Sequence, residues 1–250
     1  MIYWNRYSWH LGGSDYLFKR EHHIRVATIL QALDAELLAK HHCRFGGGTA
    51  IVLSHGEYRE SMDIDFLVSD QKGYRNLREL MTSAQGIQAI ARAGTGLTSV
   101  RDVRADQYGF RTMLKVGDAE IKIEIVHEGR IELEAPGPDD RICGVTTLTC
   151  LDMATSKLLA NSDRGSDDST FSRDLIDLAM LELPSEVLNR AKEKACTPYG
   201  TSIENALAYS IASLKKRKGR LDVCMEALKM NEVPKAQLWG RIRNLTKKRK

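Results

Sequence analysis

Residues 44–68 constrain this chain more than any other stretch: Arg-Phe-Gly-Gly-Gly-Thr-Ala-Ile-Val-Leu-Ser-His-Gly-Glu-Tyr-Arg-Glu-Ser-Met-Asp-Ile-Asp-Phe-Leu-Val. Gly46, Gly47 and Gly48 remove side chains where the backbone must come close to something, and Thr49-Ala-Ile-Val-Leu then reads as the start of a helix. Such a turn presents free backbone N–H groups to an anion. From Met62 to Val68 the residues alternate, so that Asp63, Asp65 and Leu67 fall on one strand face and Ile64, Phe66 and Val68 on the other. Two carboxylates side by side on a strand are costly unless a cation or proton sits between them, which points to a divalent metal. A phosphate cradle beside a metal pair points to a nucleotide.

The rest of the chain is read against that site. Apolar residues from Ile24 to Leu38 recur at helical spacing and predict one helix over 21–42; its pairs His22-His23 and His41-His42 point in different directions and read as solvated or capping residues. A helix over 73–83 follows the acidic strand, then a loose connection or short helix over 86–96. Residues 98–127 read as strands with turns near Asp106-Gln107 and Gly117-Asp118. In the last strand Ala119, Ile121, Ile123 and Ile125 face one way and Glu120, Lys122, Glu124 and Val126 the other. Glu124 is therefore a candidate third metal ligand if this strand lies beside that of Asp63, with Glu120 competing for the role on the same face.

A short strand is expected near Ile142 to Val145, and a helix over 149–161 that carries Lys157 within reach of the phosphate site, with Asn161 and Arg164 along the same polar side. A charged loop then leads into a helix over 171–183, where Arg173, Asp174 and Asp177 share the side opposite Leu175, Leu178 and Ala179; a structural ion-pair cluster is the competing explanation for them. Four amphipathic helices complete the chain, over 185–195, 202–214, 220–230 and 234–245, with breaks at Pro198-Tyr199-Gly200 and Gly219. The turn-rich Pro136 to Asp140 marks the approach to a boundary between an α/β unit, residues 1–147, and a helical unit, residues 148–250.

Charge divides along the same line. Residues 190–250 hold 16 Lys and Arg against 5 Asp and Glu, a local charge of +11 that leaves −7 on residues 1–189 and +4 overall. A basic end beside an acidic body points to a polyanionic partner, although the runs 215–218 and 247–250 also read as solvated faces without interleaved aromatics. Tyr3, Trp4, Tyr7 and Trp9 predict an aromatic arm packed on the body or on a partner. Five scattered cysteines without a Cys-x-x-Cys pair indicate neither a disulfide framework nor a zinc site. With no signal-peptide core and no apolar run of membrane-spanning length, the expected location is the cytoplasm.

Gly47-Gly48-Thr49-Ala50, Arg59-x-Ser61-x-Asp63-Ile64-Asp65-Phe66, Ile123-Glu124-Ile125, Lys157-Leu158 and Arg173-Asp174-x-x-Asp177-Leu178 together resemble the AbiEii/AbiGii toxin family of nucleotidyltransferases, over about residues 25–183. The resemblance implies a minimal nucleotidyltransferase fold: an α/β arrangement with a mixed sheet flanked by helices, followed by a helical C-terminal region. It implies Gly47, Gly48, Thr49 and Ser61 at the nucleotide, Asp63 and Asp65 on the metal, and Glu124 as the third carboxylate. Lys157 would contact phosphate, and Asp174 would orient that lysine or assist as a general base.

It further implies the toxin half of a toxin–antitoxin or phage-defence pair, with Mg²⁺ or Mn²⁺ as cofactor. A nucleoside triphosphate would be the substrate, a tRNA 3′ end the favoured acceptor and a cognate antitoxin a partner. The expected mechanism has two metal ions on Asp63, Asp65 and Glu124, attack of an acceptor hydroxyl on the α-phosphorus, and loss of pyrophosphate. Two other readings share the same residues: a kinase-like phosphotransferase, and a non-catalytic protein that holds RNA or a partner.

Overall fold

A computed structural model describes residues 18–246. The aromatic Tyr3, Trp4, Tyr7 and Trp9 and the terminal run 247–250 lie outside the described residues. Two helices open the described chain, α1 (Glu21–Ala32) and α2 (Ala35–Lys40), where a single helix was expected. The break has a local cause. Leu33 forms an isolated bridge with Ala91, and the Asp34 carboxylate caps α2 by accepting from the Leu37 N–H at 2.9 Å. Apolar residues keep facing the core on both sides of the break, which is why periodicity alone did not reveal it.

Strand β1 (Arg44–Gly46) leads into α3 (Gly47–Ser54), and β2 (Ile64–Val68) returns antiparallel to β1. Helix α4 (Gln71–Met81) is capped by Asp70 and is followed by a 3₁₀ turn (Gly86–Ile90). The expected strands appear as β3 (Thr98–Ser99), β4 (Arg104–Ala105), β5 (Gly109–Val116) and β6 (Ala119–His127). They complete a six-stranded mixed sheet in the order β1-β2-β6-β5-β3, with β4 also on β5; β6 is parallel to β2 and the other pairs are antiparallel. The inward faces of β2 and β6 follow the sequence pattern: Ile64, Phe66, Val68, Ile121, Ile123 and Ile125 are all buried.

The strand expected near Ile142 is a small hairpin, β7 (Arg141–Ile142) and β8 (Val145–Thr146), turning through Cys143 and Gly144, both at positive φ. Helices α5 (Cys150–Arg164), α6 (Arg173–Met180), α7 (Ser185–Tyr199), α8 (Ser202–Lys216), α9 (Arg220–Ala227) and α10 (Lys235–Asn244) follow. Helix α7 runs on through Pro198 to Tyr199 and breaks at Gly200, at positive φ, within the expected Pro198-Tyr199-Gly200. The mixed sheet flanked by helices and the helical C-terminal region thus agree with the expected fold class. Hydrophobic packing is continuous from Phe18 to Leu245, and α3 lies directly against α5 and α6. Among the described residues no helix is long and apolar enough to cross a membrane, and all five cysteines are free.

Candidate active site

The glycine turn closes over the acidic strand. Gly46 pairs with Asp65 across β1 and β2, and Gly47 adopts φ +67°, a conformation that L side chains rarely take. A Cβ at Gly47 would run into the Asp65 carboxylate, and one at Gly48 into the Arg59 guanidinium. The glycines therefore leave room for two charged side chains as well as opening the backbone at the start of α3. Thr49 and Ser61 are buried and hydrogen-bonded to each other at 2.8 Å. The Thr49 hydroxyl donates to the Asp63 carbonyl, so the proton between the two hydroxyls comes from Ser61. Both side chains expected at the nucleotide thus pin the loop before β2 to α3, and what this turn offers a phosphate is backbone N–H.

Register decides between the two glutamates. In the parallel β2–β6 ladder Asp65 lies opposite Glu124, whereas Glu120 lies opposite Lys115 in the β5–β6 ladder and precedes the stretch of β6 that pairs with β2. Glu124 is already engaged, by Lys122 on its own strand face and by Arg111 at 3.2 Å. Burial, and then the adjacent Asp63, push the Asp65 carboxyl above its ordinary value, while Lys122 and Lys157 pull it down. Asp65 is thus a carboxylate whose charge is poorly compensated, and with the exposed Asp63 it fits a divalent cation. Among the described residues no set of three or more His, Cys, Asp or Glu groups is drawn together as a metal site. Glu124 can join the aspartates only by leaving Lys122 and Arg111.

Behind the carboxylates lies a buried ionic cluster. Lys157 Nζ donates to Asp174 at 3.0 Å and lies 2.7 Å from an Asp177 oxygen. Arg59 grips Asp177 with two N–H groups at 2.7 and 2.8 Å, and the Tyr58 hydroxyl donates to the same carboxylate at 2.7 Å. Arg164 holds Asp174 with two bonds at 2.7 and 3.0 Å. Burial would raise both carboxyls, but Lys157 with Arg164 holds Asp174 well below the usual range, and Arg59 with Lys157 does the same for Asp177. The paired cations thus favour the ionised form of Asp174, which bonds to Lys157 and is poorly suited to take up a proton. Three cations against two carboxylates leave one positive charge, which acts on Asp65 through Lys157.

On α6 the ion-pair explanation fits the two aspartates: Arg173 is exposed, whereas Asp174 and Asp177 are buried against Lys157 and Arg164 of α5 and against Tyr58 and Arg59. Tyr58, Arg59 and Arg164 had no assigned role in the sequence, and Asp177 was read only as a member of a possible ion-pair cluster. The three-residue spacing of Asp174 and Asp177, a two-carboxylate face needing cations, was the available signal.

A second support was also missed. His23, expected to be solvated or capping, is fully buried; its Nδ1 lies 2.8 Å from Glu57, and its Nε2 accepts from the Ser61 N–H at 3.2 Å. Accepting at Nε2 requires the proton on Nδ1, so this imidazole is neutral, and burial lowers its pKa despite Glu57. Neighbouring His22 meets the Met62 carbonyl at 2.9 Å. Both histidines of α1 thus hold the loop that delivers Asp63.

The chain is similar to a Helicobacter pylori protein provisionally assigned as a nucleotidyltransferase, at 16% identity over 88% of this chain and 92% of that one, with a TM-score of 0.46. It is also similar to JHP933 from Helicobacter pylori, at 17% identity over 90% and 92% of the two chains, with a TM-score of 0.45. No curated protein matches. The family model described as nucleotidyl transferase AbiEii toxin, type IV toxin–antitoxin system, matches residues 28–238, from α1 through the acidic strands and the ionic cluster into α10. A match that takes in the whole site and most of the chain is membership: this protein belongs to the AbiEii nucleotidyltransferase toxins and is a nucleotidyltransferase.

Proposed function

We propose that this toxin transfers a nucleoside monophosphate from a nucleoside triphosphate to an acceptor hydroxyl, with the 3′ end of a tRNA favoured. The observation that carries the reading is the register that sets Glu124 beside Asp65, next to Asp63 and under the glycine turn. Asp63 and Asp65 would hold Mg²⁺ or Mn²⁺, with Glu124 as the third carboxylate. The metal, when bound, would neutralise triphosphate charge and lower the pKa of the acceptor hydroxyl. The backbone N–H groups at Gly47, Gly48 and Thr49 would receive phosphate oxygens.

The hydroxyl oxygen attacks the α-phosphorus in line, its proton passes to solvent, and the bond from that phosphorus to the β-bridging oxygen breaks, releasing pyrophosphate. Lys157 has three N–H groups and two carboxylate neighbours. A third N–H, together with the surplus charge of the cluster, serves the leaving pyrophosphate. Asp174 and Asp177 position that ammonium, and Arg59 anchors it to the glycine turn. The chain divides in role at residue 147, with the carboxylates in 1–147 and the leaving-group cation in 148–250. The site faces the cytoplasm in this reading, and a cognate antitoxin restrains it, with phage defence as the setting.

The test is incubation of the protein, beside Asp63→Asn, with total RNA, Mg²⁺ and each α-labelled nucleoside triphosphate in turn. Label on a tRNA-sized band with wild type alone is the expected outcome. Label from the γ-position instead would make the reaction a phosphotransfer, and no label from either position on RNA or protein would overturn the reading.

A further inference from the structure

The basic excess of the C-terminal helices is gathered rather than spread. Two depressions meet at Leu214 and Arg217. One, of about 210 Å³, is walled by Lys215, Arg217, Lys218 and Lys235, with Trp239 at its side. The other, of about 120 Å³, is polar and runs from Gly165 and Ser166, past Ser213 and Arg220, beneath Tyr209. Arg217 and Arg220 share Asp168, and Lys235 pairs with Asp222 at 2.5 Å; among the described residues Lys215, Lys216 and Lys218 are exposed and make no ion pair. Tyr209 is 61% exposed, and Trp239 is half-buried with the Arg243 guanidinium 5.9 Å from its ring centre. The fold thus supplies the aromatic rings that the basic run lacks in sequence.

One end of this tract lies at the catalytic cluster. Gly165 and Ser166 directly follow Arg164, whose guanidinium holds Asp174, and Lys157 lies about 10 Å further back along α5. We infer that the tract, from Ser166 across Arg217 to Lys235, is the docking groove for the acceptor strand, a single-stranded RNA segment whose phosphates lie on Lys215 and Lys218 and whose bases stack on Tyr209 and Trp239. Density of unpaired cations argues for a polyanion, and exposed rings beside them argue for nucleotide bases over an acidic protein. The inference rests on the nucleotidyl-transfer reading for its direction, and its test is separate from that reading.

The experiment is fluorescence anisotropy of a labelled single-stranded RNA of roughly a dozen nucleotides, titrated with the full-length protein at several salt concentrations. Lys215→Ala/Lys218→Ala is expected to weaken binding about tenfold and to reduce the slope of log K against log salt by about 1.4, since each phosphate contact on a single strand contributes about 0.7. Tyr209→Ala is expected to weaken binding about fivefold to tenfold with the salt slope unchanged. Wild-type protein that does not bind the RNA, or a lysine variant with wild-type affinity and slope, overturns the inference. So does a lysine variant that binds RNA normally but escapes the cognate antitoxin, which would make the tract a protein interface. Asp63→Asn keeps the two readings apart: if it binds RNA as wild type does while wild type labels none, the groove stands and the transfer reading falls.

Discussion

Asp65 sits where ionised oxygen is most expensive and most useful. Its carboxyl is held above the ordinary value by burial and by Asp63, so the metal-free folded state carries a penalty at neutral pH that the unfolded chain does not. Asp65→Asn should therefore raise the melting temperature of the metal-free protein near pH 7. The gain should vanish at pH values below the unfolded carboxylate pKa, where wild type is protonated in both states, and nucleotidyl transfer should be lost throughout. Thermal melts across pH, with and without Mg²⁺, check this. Asp177 is the opposite case. Removing it leaves Arg59 and Lys157 buried without their shared partner, so Asp177→Ala should cost about 3–5 kcal/mol by denaturant unfolding. Lys122→Ala removes an internal competitor for Glu124 and should tighten Mn²⁺ binding, measured by calorimetry.

At the scale of elements, the loop between α3 and β2 is governed by α1. His23 is neutral in the fold and takes a proton only on unfolding or release, so stability should fall as pH drops below about 6.5, where the unfolded chain binds the proton and the folded one does not. His23→Gln should flatten that decline, as followed by urea midpoints between pH 7 and 5. What the sequence made legible is also an element-scale matter. The glycine turn, the alternating β2 and β6 and the lysine of α5 were readable because each is a local pattern with its own period. Break points were not, since Leu33 stops α1 through a bridge to Ala91 that lies 58 residues away in the chain. Nor could the choice between Glu120 and Glu124 be made, because it depends on the offset between two strands, which neither strand encodes alone. The ionic face of α6 was visible as a spacing, but its partner Arg59 lies 118 residues earlier in the chain, which no local pattern announces.

On the scale of the whole molecule, the site is shared across the chain. In the proposed site the carboxylates come from β2, the residue just before it and β6, the lysine from α5 and its anchors from α6, with Arg59 joining the two ends through Asp177. Because packing is continuous from Phe18 to Leu245, denaturation should be a single transition with coincident fluorescence and circular-dichroism midpoints, and residues 1–147 made alone should be both unstable and unable to transfer a nucleotide. The link between Arg59 and Asp177 also bears on when the chain becomes competent as it is made. During synthesis the glycine turn and all three carboxylates leave the ribosome well before α6, so a growing chain exposes an acidic strand but no anchored lysine. On the proposed mechanism transfer becomes possible only when the last third of the chain has emerged, so ribosome-held chains that stop short of α6 are expected to label no RNA.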